Sequence, residues 1–122
     1  MKLEDMDVFK RGHEMTLQVY KVTADFPECE RFGLISQMRK AAVSICSNLV
    51  EGYHRAGKNE FKHFISIARG SCGELNYQLM LSKDLGYINE RTFTEISESC
   101  ERVIRMLSKL DNFVKSIYSV IH

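Results

Sequence analysis

FGLISQMRKAAVSICSNLVEGYHR, residues Phe32 to Arg55, is the stretch whose reading decides the fold. Leu34, Ile35, Met38, Ala42, Ile45, Leu49 and Tyr53 recur at the i, i+3, i+4 spacing of one face of an α-helix. Gln37, Ala41, Ser44, Asn48, Glu51 and Arg55 step down a second face. That second stripe is polar but mostly uncharged, with small residues between. An ordinary solvated face is built from Lys and Glu. A buried hydrogen-bonded seam, or a contact between helices, accounts for this one better.

Toward the N-terminus, Met1 to Asp5 read as a short polar lead-in, and Asp5 or Asp7 as an N-cap or first-turn acid for a first helix. Phe9, His13, Thr16 and Tyr20 share one face of that helix, broadened by Val8, Met15, Val19 and Val22. It should end near Ala24, because the residue before Pro27 avoids helical geometry. Phe26 to Gly33 is an acidic connection. Gly57 is expected to close the second helix in the left-handed conformation, and Asn59 to cap the third.

The third helix, Glu60 to Leu85, carries Phe61, Phe64, Ile65, Ala68, Cys72, Leu75, Leu79 and Leu81 as its apolar set. Ser71, Glu74, Gln78 and Ser82 form a polar stripe like that on helix two. Gly70 and Gly73 sit mid-helix, where each costs about 1 kcal/mol relative to Ala, which points to a closely approaching neighbour. Gly86 should end this helix, with Tyr87 folding back on Leu81. From Asn89 onward, Phe93, Ile96, Cys100, Val103, Leu107, Leu110, Val114, Ile117 and Ile121 repeat at 3, 4, 3, 4 spacing. That is the pattern of left-handed, coiled-coil-like packing. Four helices with short loops, no strand pattern and no linker predict an all-α, antiparallel up-down-up-down four-helix bundle forming a single domain over residues 1–122.

Composition agrees with long helices: of 122 residues only Pro27 is proline, and seven are glycine. The net charge of +1 excludes a polycation. Between Arg39 and Arg69, however, Arg39, Lys40, Arg55, Lys58, Lys62 and Arg69 outnumber Glu51 and Glu60, so the rest of the chain is net acidic and a local basic surface is expected. Cys29, Cys46, Cys72 and Cys100 are widely spaced, with no Cys-x-x-Cys pair. Without a signal peptide or a long apolar run, the expectation is a reduced, cytoplasmic protein that does not enter the membrane.

The residues Phe26-Pro27, Glu30, Phe32-Gly33-Leu34, Gln37 to Ala42, Ser44, Ser47-Asn48, Glu51-Gly52, Ala68 to Ser71 and Glu74-Leu75 carry a family likeness. The chain resembles the four-helix-bundle proteins encoded in intervening sequences of bacterial 23S rRNA genes, a family to which the accessory protein of diversity-generating retroelements looks related. The resemblance covers nearly the whole chain. It implies assembly into a ring-like homopentamer. For the retroelement branch it also implies a basic surface for nucleic acid and a reverse transcriptase as partner. Cys46 stands where members often have Pro, which would bend helix two; whether this chain bends there is left open.

Two constellations carry candidate chemistry. The first is a structural polar seam of Gln37, Ser44, Asn48 and Glu51 on helix two with Ser71, Glu74 and Gln78 on helix three. Its carboxylates need hydrogen-bond partners, since one left unpaired in a buried seam costs several kcal/mol. Di-metal bundles need Glu on several helices and repeated Glu-x-x-His pairs. Here Glu60 and His63 give one, at a helix start, so no metal, no cofactor and no catalytic residue is assigned. His13, His54, His63 and His122 share no ligand spacing. The second constellation is a nucleic-acid-binding set of Arg39, Lys40, Arg55, Lys58, Lys62, His63 and Arg69, centred on the turn between helices two and three, where free backbone N–H groups suit phosphate. The function expected is therefore a non-enzymatic oligomer binding RNA or DNA, or acting with a nucleic-acid-handling partner. A purely structural scaffold is the alternative.

Overall fold

The computed structural model describes residues 2–121, with side chains through residue 116. Four helices account for most of it: α1 Asp7–Thr23, α2 Leu34–Tyr53, α3 Lys58–Asp84 and α4 Glu90–Ile121. Two short 3-10 turns, Leu3–Asp5 and Glu28–Glu30, precede α1 and α2, and the described residues contain no strand.

The helices pack α1 on α2, α2 on α3, α3 on α4 and α4 on α1. Residue pairs fix how they run. Along α2 and α3, Met38 meets Ser82, Ser44 meets Ser71, and Gly52 lies under Phe61 and Phe64. Numbers rise on one helix as they fall on the other. The same holds for α3 and α4, where Lys83 lies over Phe93, Asn76 bonds Ser97, and Lys62 approaches Asp111.

The core follows from the apolar spacing. Met15, Val19, Met38, Ala42, Ile45, Leu49, Ile65, Ala68, Leu75 and Leu79 are buried, and α4 contributes Ile96, Cys100, Val103, Leu107, Leu110 and Val114 in heptad order. Each buried Val, Leu, Ile or Met among these stabilises the fold by about 1.5–3 kcal/mol relative to exposure, and the alanines by less. Ile117 and Ile121 lie outside the described side chains, and His122 outside the described residues.

Several local details differ from the sequence reading. Neither Asp5 nor Asp7 caps α1, since Met6 holds the cap position without a side-chain bond, while Asp7 is the first-turn acid expected. The lead-in is not wholly polar, since Leu3 is buried. Gly57 does not close α2. It sits at the cap position of α3 with φ +104°, and α3 begins at Lys58 rather than after Asn59. The cause is that the α2–α3 turn is too tight for a separate cap, so one positive-φ glycine reverses the chain and accepts from Phe61 N–H at 3.3 Å. The close approach foreseen at Gly70 and Gly73 occurs elsewhere. Nothing lies within 4 Å of a Cβ built on either, whereas at Gly52 it would stand 2.8 Å from Phe64 Cβ.

Gly86 does end α3, at φ 81°. Its N–H reaches Lys83 O and that of Tyr87 reaches Ser82 O, both at 2.9 Å, the paired bonds of a Schellman closure. Tyr87 then packs on Phe26, ring centroids 5.1 Å apart, and donates to Glu30 Oε2 at 2.8 Å. This ties the acidic α1–α2 connection to the α3–α4 turn. α2 passes through Cys46 as one continuous helix, and the Cys46 thiol donates to Phe9 O across to α1.

Candidate nucleic-acid interface and polar seam

The seam begins from two hydroxyls. Ser44 faces inward from α2 and Ser71 from α3, with their Oγ atoms 2.8 Å apart. Asn48, one turn on, donates from Nδ2 to Ser44 O at 2.7 Å and to Ser44 Oγ at 2.8 Å. Ser71 is buried, and Ser44 and Asn48 are half-buried. Pairing in this way removes the cost of enclosing a hydroxyl. The seam is shut at Ser71 and Gln78 and open elsewhere. Gln37, Glu51 and Glu74 are exposed on the chain. Glu51 accepts from Arg55 Nη2 at 2.6 Å, and Glu74 accepts from Gln78 Nε2 at 3.3 Å. Each carboxylate thus accepts from a side chain four positions further along the chain.

The seven basic candidates do not form one patch. Arg39 and Lys40 lie near the start of α2, while Arg55, Lys58, Lys62 and His63 surround the turn into α3, about 24 Å further along the helix axis. Arg69 is exposed on α3.

At the turn much of the charge is already answered. Arg55 contacts Glu51 and, at 3.9 Å, Glu60, and stacks over Phe64. The hydrogen bond and charge of Glu51 raise the Arg55 pKa further above its already high value. Lys62 stands 4.0 Å from Asp111 of α4. His63 is exposed and sits edge-on to Phe64.

At the start of α2 the arrangement is different. Arg39 lies over the Tyr20 ring, its Cζ 4.6 Å from the centroid, and donates to Thr23 Oγ1 and Tyr20 O at 2.9 and 3.2 Å. Thr23 is itself fixed by donating to Val19 O. These contacts hold the guanidinium at the wall of an open cleft of about 510 Å³ that also presents Arg31, Phe32 and Lys40. Phe32 is 87% exposed, with the Arg31 guanidinium 5.4 Å from its ring centroid. Glu28 partly offsets Arg31 at 3.5 Å. Cations beside uncovered aromatic faces suit a phosphate chain with stackable bases.

The family model for 23S rRNA-intervening sequence proteins matches residues 4–109. The chain belongs to this family. Among solved structures, it is similar to a protein of unknown function from the S23 ribosomal protein family of Bacteroides thetaiotaomicron VPI-5482, with TM-score 0.77 and 20% identity, over 85% of this chain and 97% of that one. At that identity the likeness is one of fold. A search of curated proteins gave no match.

For this 23S rRNA-intervening sequence protein, the sequence reading did not group Tyr20, Arg31 and Phe32 with Arg39 and Lys40, as the cleft does. The signal was present in Arg31-Phe32 beside a glycine, an aromatic in a connection where no helical face demands one. Among the described residues no group of three His, Cys, Asp or Glu is placed to hold a metal ion, and no helix is long and apolar enough to cross a membrane.

Proposed function

We propose that this chain is a non-enzymatic, cytoplasmic protein that binds RNA or DNA through the cleft at Arg39 and Lys40. The observation that carries this reading is Arg39 held over Tyr20 beside the exposed Phe32. The site has cations for phosphate and a free ring for a base, and Thr23 preorganises the guanidinium. Arg31 and Lys40 add charge, and counterion release supplies most of the affinity. The basic turn at Arg55, Lys58 and Lys62 contributes less, because Glu51, Glu60 and Asp111 stand against it.

The reading includes one domain over residues 1–122, an antiparallel up-down-up-down bundle, and assembly with copies of itself, as a homopentameric ring in line with the family resemblance. The residue pairs along α2, α3 and α4 support the helix directions. Support for self-association comes from the apolar side chains left exposed on α2 and α3, among them Val43, Val50, Ile67, Tyr77 and Met80. Repetition of a weak site around an oligomer multiplies its strength. A reverse transcriptase is the partner for a member acting in a retroelement.

The scaffold reading is favoured by one observation, the enclosure of Arg55 between Glu51 and Glu60. Light scattering with and without a mixed RNA and DNA pool, at two salt concentrations, separates the two. Nucleic-acid binding predicts a mass increase at low salt that is lost at high salt. A mass unaffected by the pool at low salt rejects it.

A further inference from the structure

We propose that the cleft on the opposite side of α2, between its start and the end of α3, binds a guanidinium carried on an alkyl stem, the chemistry of an arginine side chain. Three observations converge there. The cleft measures about 460 Å³ and is lined by Glu30, Glu74, Gln78 and Tyr77, with Leu34 and Leu81 as apolar wall. Gln78 is only 6% exposed, and its Oε1 is buried without a hydrogen-bond partner. Neither Glu30 nor Glu74 has an ion pair among the described residues.

The acceptors are held in place before any ligand arrives. Glu30 takes Leu34 N–H on Oε1 at 3.3 Å and the Tyr87 hydroxyl on Oε2 at 2.8 Å. Glu74 Oε1 takes Gln78 Nε2 at 3.3 Å. That bond also fixes which way the Gln78 amide points. Reversing it would set two oxygens against each other and leave an N–H buried instead. Gln78 Oε1 is therefore an acceptor left unanswered behind the cleft wall, and the two carboxylates are the accessible ones. The cleft presents acceptors and negative charge, so a cationic donor completes it.

The shape of the site selects among cations. Two carboxylates on one cleft, with the unanswered amide oxygen behind them, match a planar fork with several N–H groups better than a compact ammonium. The Tyr77 ring, largely exposed, provides a face on which a guanidinium stacks. Leu34 and Leu81 cover a methylene stem. This cleft shares no residue with the one lined by Arg39 and Lys40, and the inference stands apart from nucleic-acid binding.

Calorimetry on the whole chain tests it, with agmatine as a free guanidinium, a short glycine peptide bearing one arginine, and the same peptide bearing lysine. Light scattering runs alongside. The expectation is saturable binding of a guanidinium probe, weakened about tenfold or more by E74Q and by Q78M, with the lysine peptide weaker by a similar factor. E74Q changes an exposed side chain, so folding is not at risk. Tighter binding of agmatine identifies a free small molecule as the source, and tighter binding of the peptide a polypeptide. A fall in mass as agmatine is added identifies an arginine of a neighbouring copy. The proposal is overturned if neither guanidinium probe binds and mass is unchanged, if both variants bind as the parent does, or if the lysine peptide binds equally well.

Discussion

Ser44 Oγ and Ser71 Oγ stand 2.8 Å apart at the centre of the α2–α3 contact, and Asn48 donates to Ser44 to lock the pair. The hydroxyls satisfy each other where water is largely excluded. Removing one leaves the other short of a partner, at about 1 kcal/mol. Ser44→Ala and Ser71→Ala should each destabilise by that amount. The double variant should cost about 0.5–1 kcal/mol less than their sum, since the pair is lost only once. Denaturant unfolding measures the cycle. Strict additivity would mean that the two hydroxyls do not interact.

Glycine substitutions discriminate between contacts within the chain and contacts beyond it. Gly52→Ala drives a methyl group to 2.8 Å from Phe64 Cβ, and should destabilise by about 1–3 kcal/mol. Gly70→Ala and Gly73→Ala meet nothing within 4 Å. On an isolated subunit each should stabilise by up to about 1 kcal/mol. If another copy packs on that face, the same changes should weaken assembly. Thermal unfolding paired with light scattering reads both effects.

The thiols predict a pH dependence with a definite sign. Burial pushes Cys46 up to about 11, and Cys72 and Cys100 up to about 12. Each folded-state value lies above that of the unfolded chain, so the protonated thiol favours the fold. That contribution is complete below about pH 9 and is lost as pH rises through 11 to 12. Between those limits stability should fall progressively with pH, with the buried Cys72 and Cys100 contributing more than the half-buried Cys46. A thiol reagent at neutral pH should label the exposed Cys29 quickly, the half-buried Cys46 more slowly, and Cys72 and Cys100 only on unfolding. Fast labelling of all four would contradict this burial.

Much of this architecture was legible in the residues, and the physical reasons divide cleanly. The heptad on α4 and the two-faced pattern on α2 are periodic, so they revealed which side chains enter the core. The Ser44–Ser71 contact was legible because an uncharged polar stripe recurs on both helices. Turn chemistry was less so. Gly57 looked like the end of α2, but one positive-φ residue served the start of α3 instead. The link from Glu30 and Phe26 to Tyr87 spans two helices, α2 and α3, and leaves no local trace. Charge was the least legible property. Arg55, Lys58 and Lys62 formed a basic run in sequence, yet Asp111 reaches Lys62 from α4. Arg39 gained its role only through Tyr20, nineteen positions earlier on α1.

The most direct test of the account is nucleic-acid binding, followed by fluorescence anisotropy with a mixed single-stranded oligonucleotide pool at low salt. Lys40→Glu and Phe32→Ala change exposed side chains in the Arg39 cleft. Each should weaken binding about tenfold, through lost phosphate neutralisation and lost stacking respectively. Arg55→Glu, at the compensated turn, should change affinity by no more than about twofold. Binding that survives Lys40→Glu and Phe32→Ala but disappears with Arg55→Glu would contradict the account, as would an unmodified chain that binds nothing.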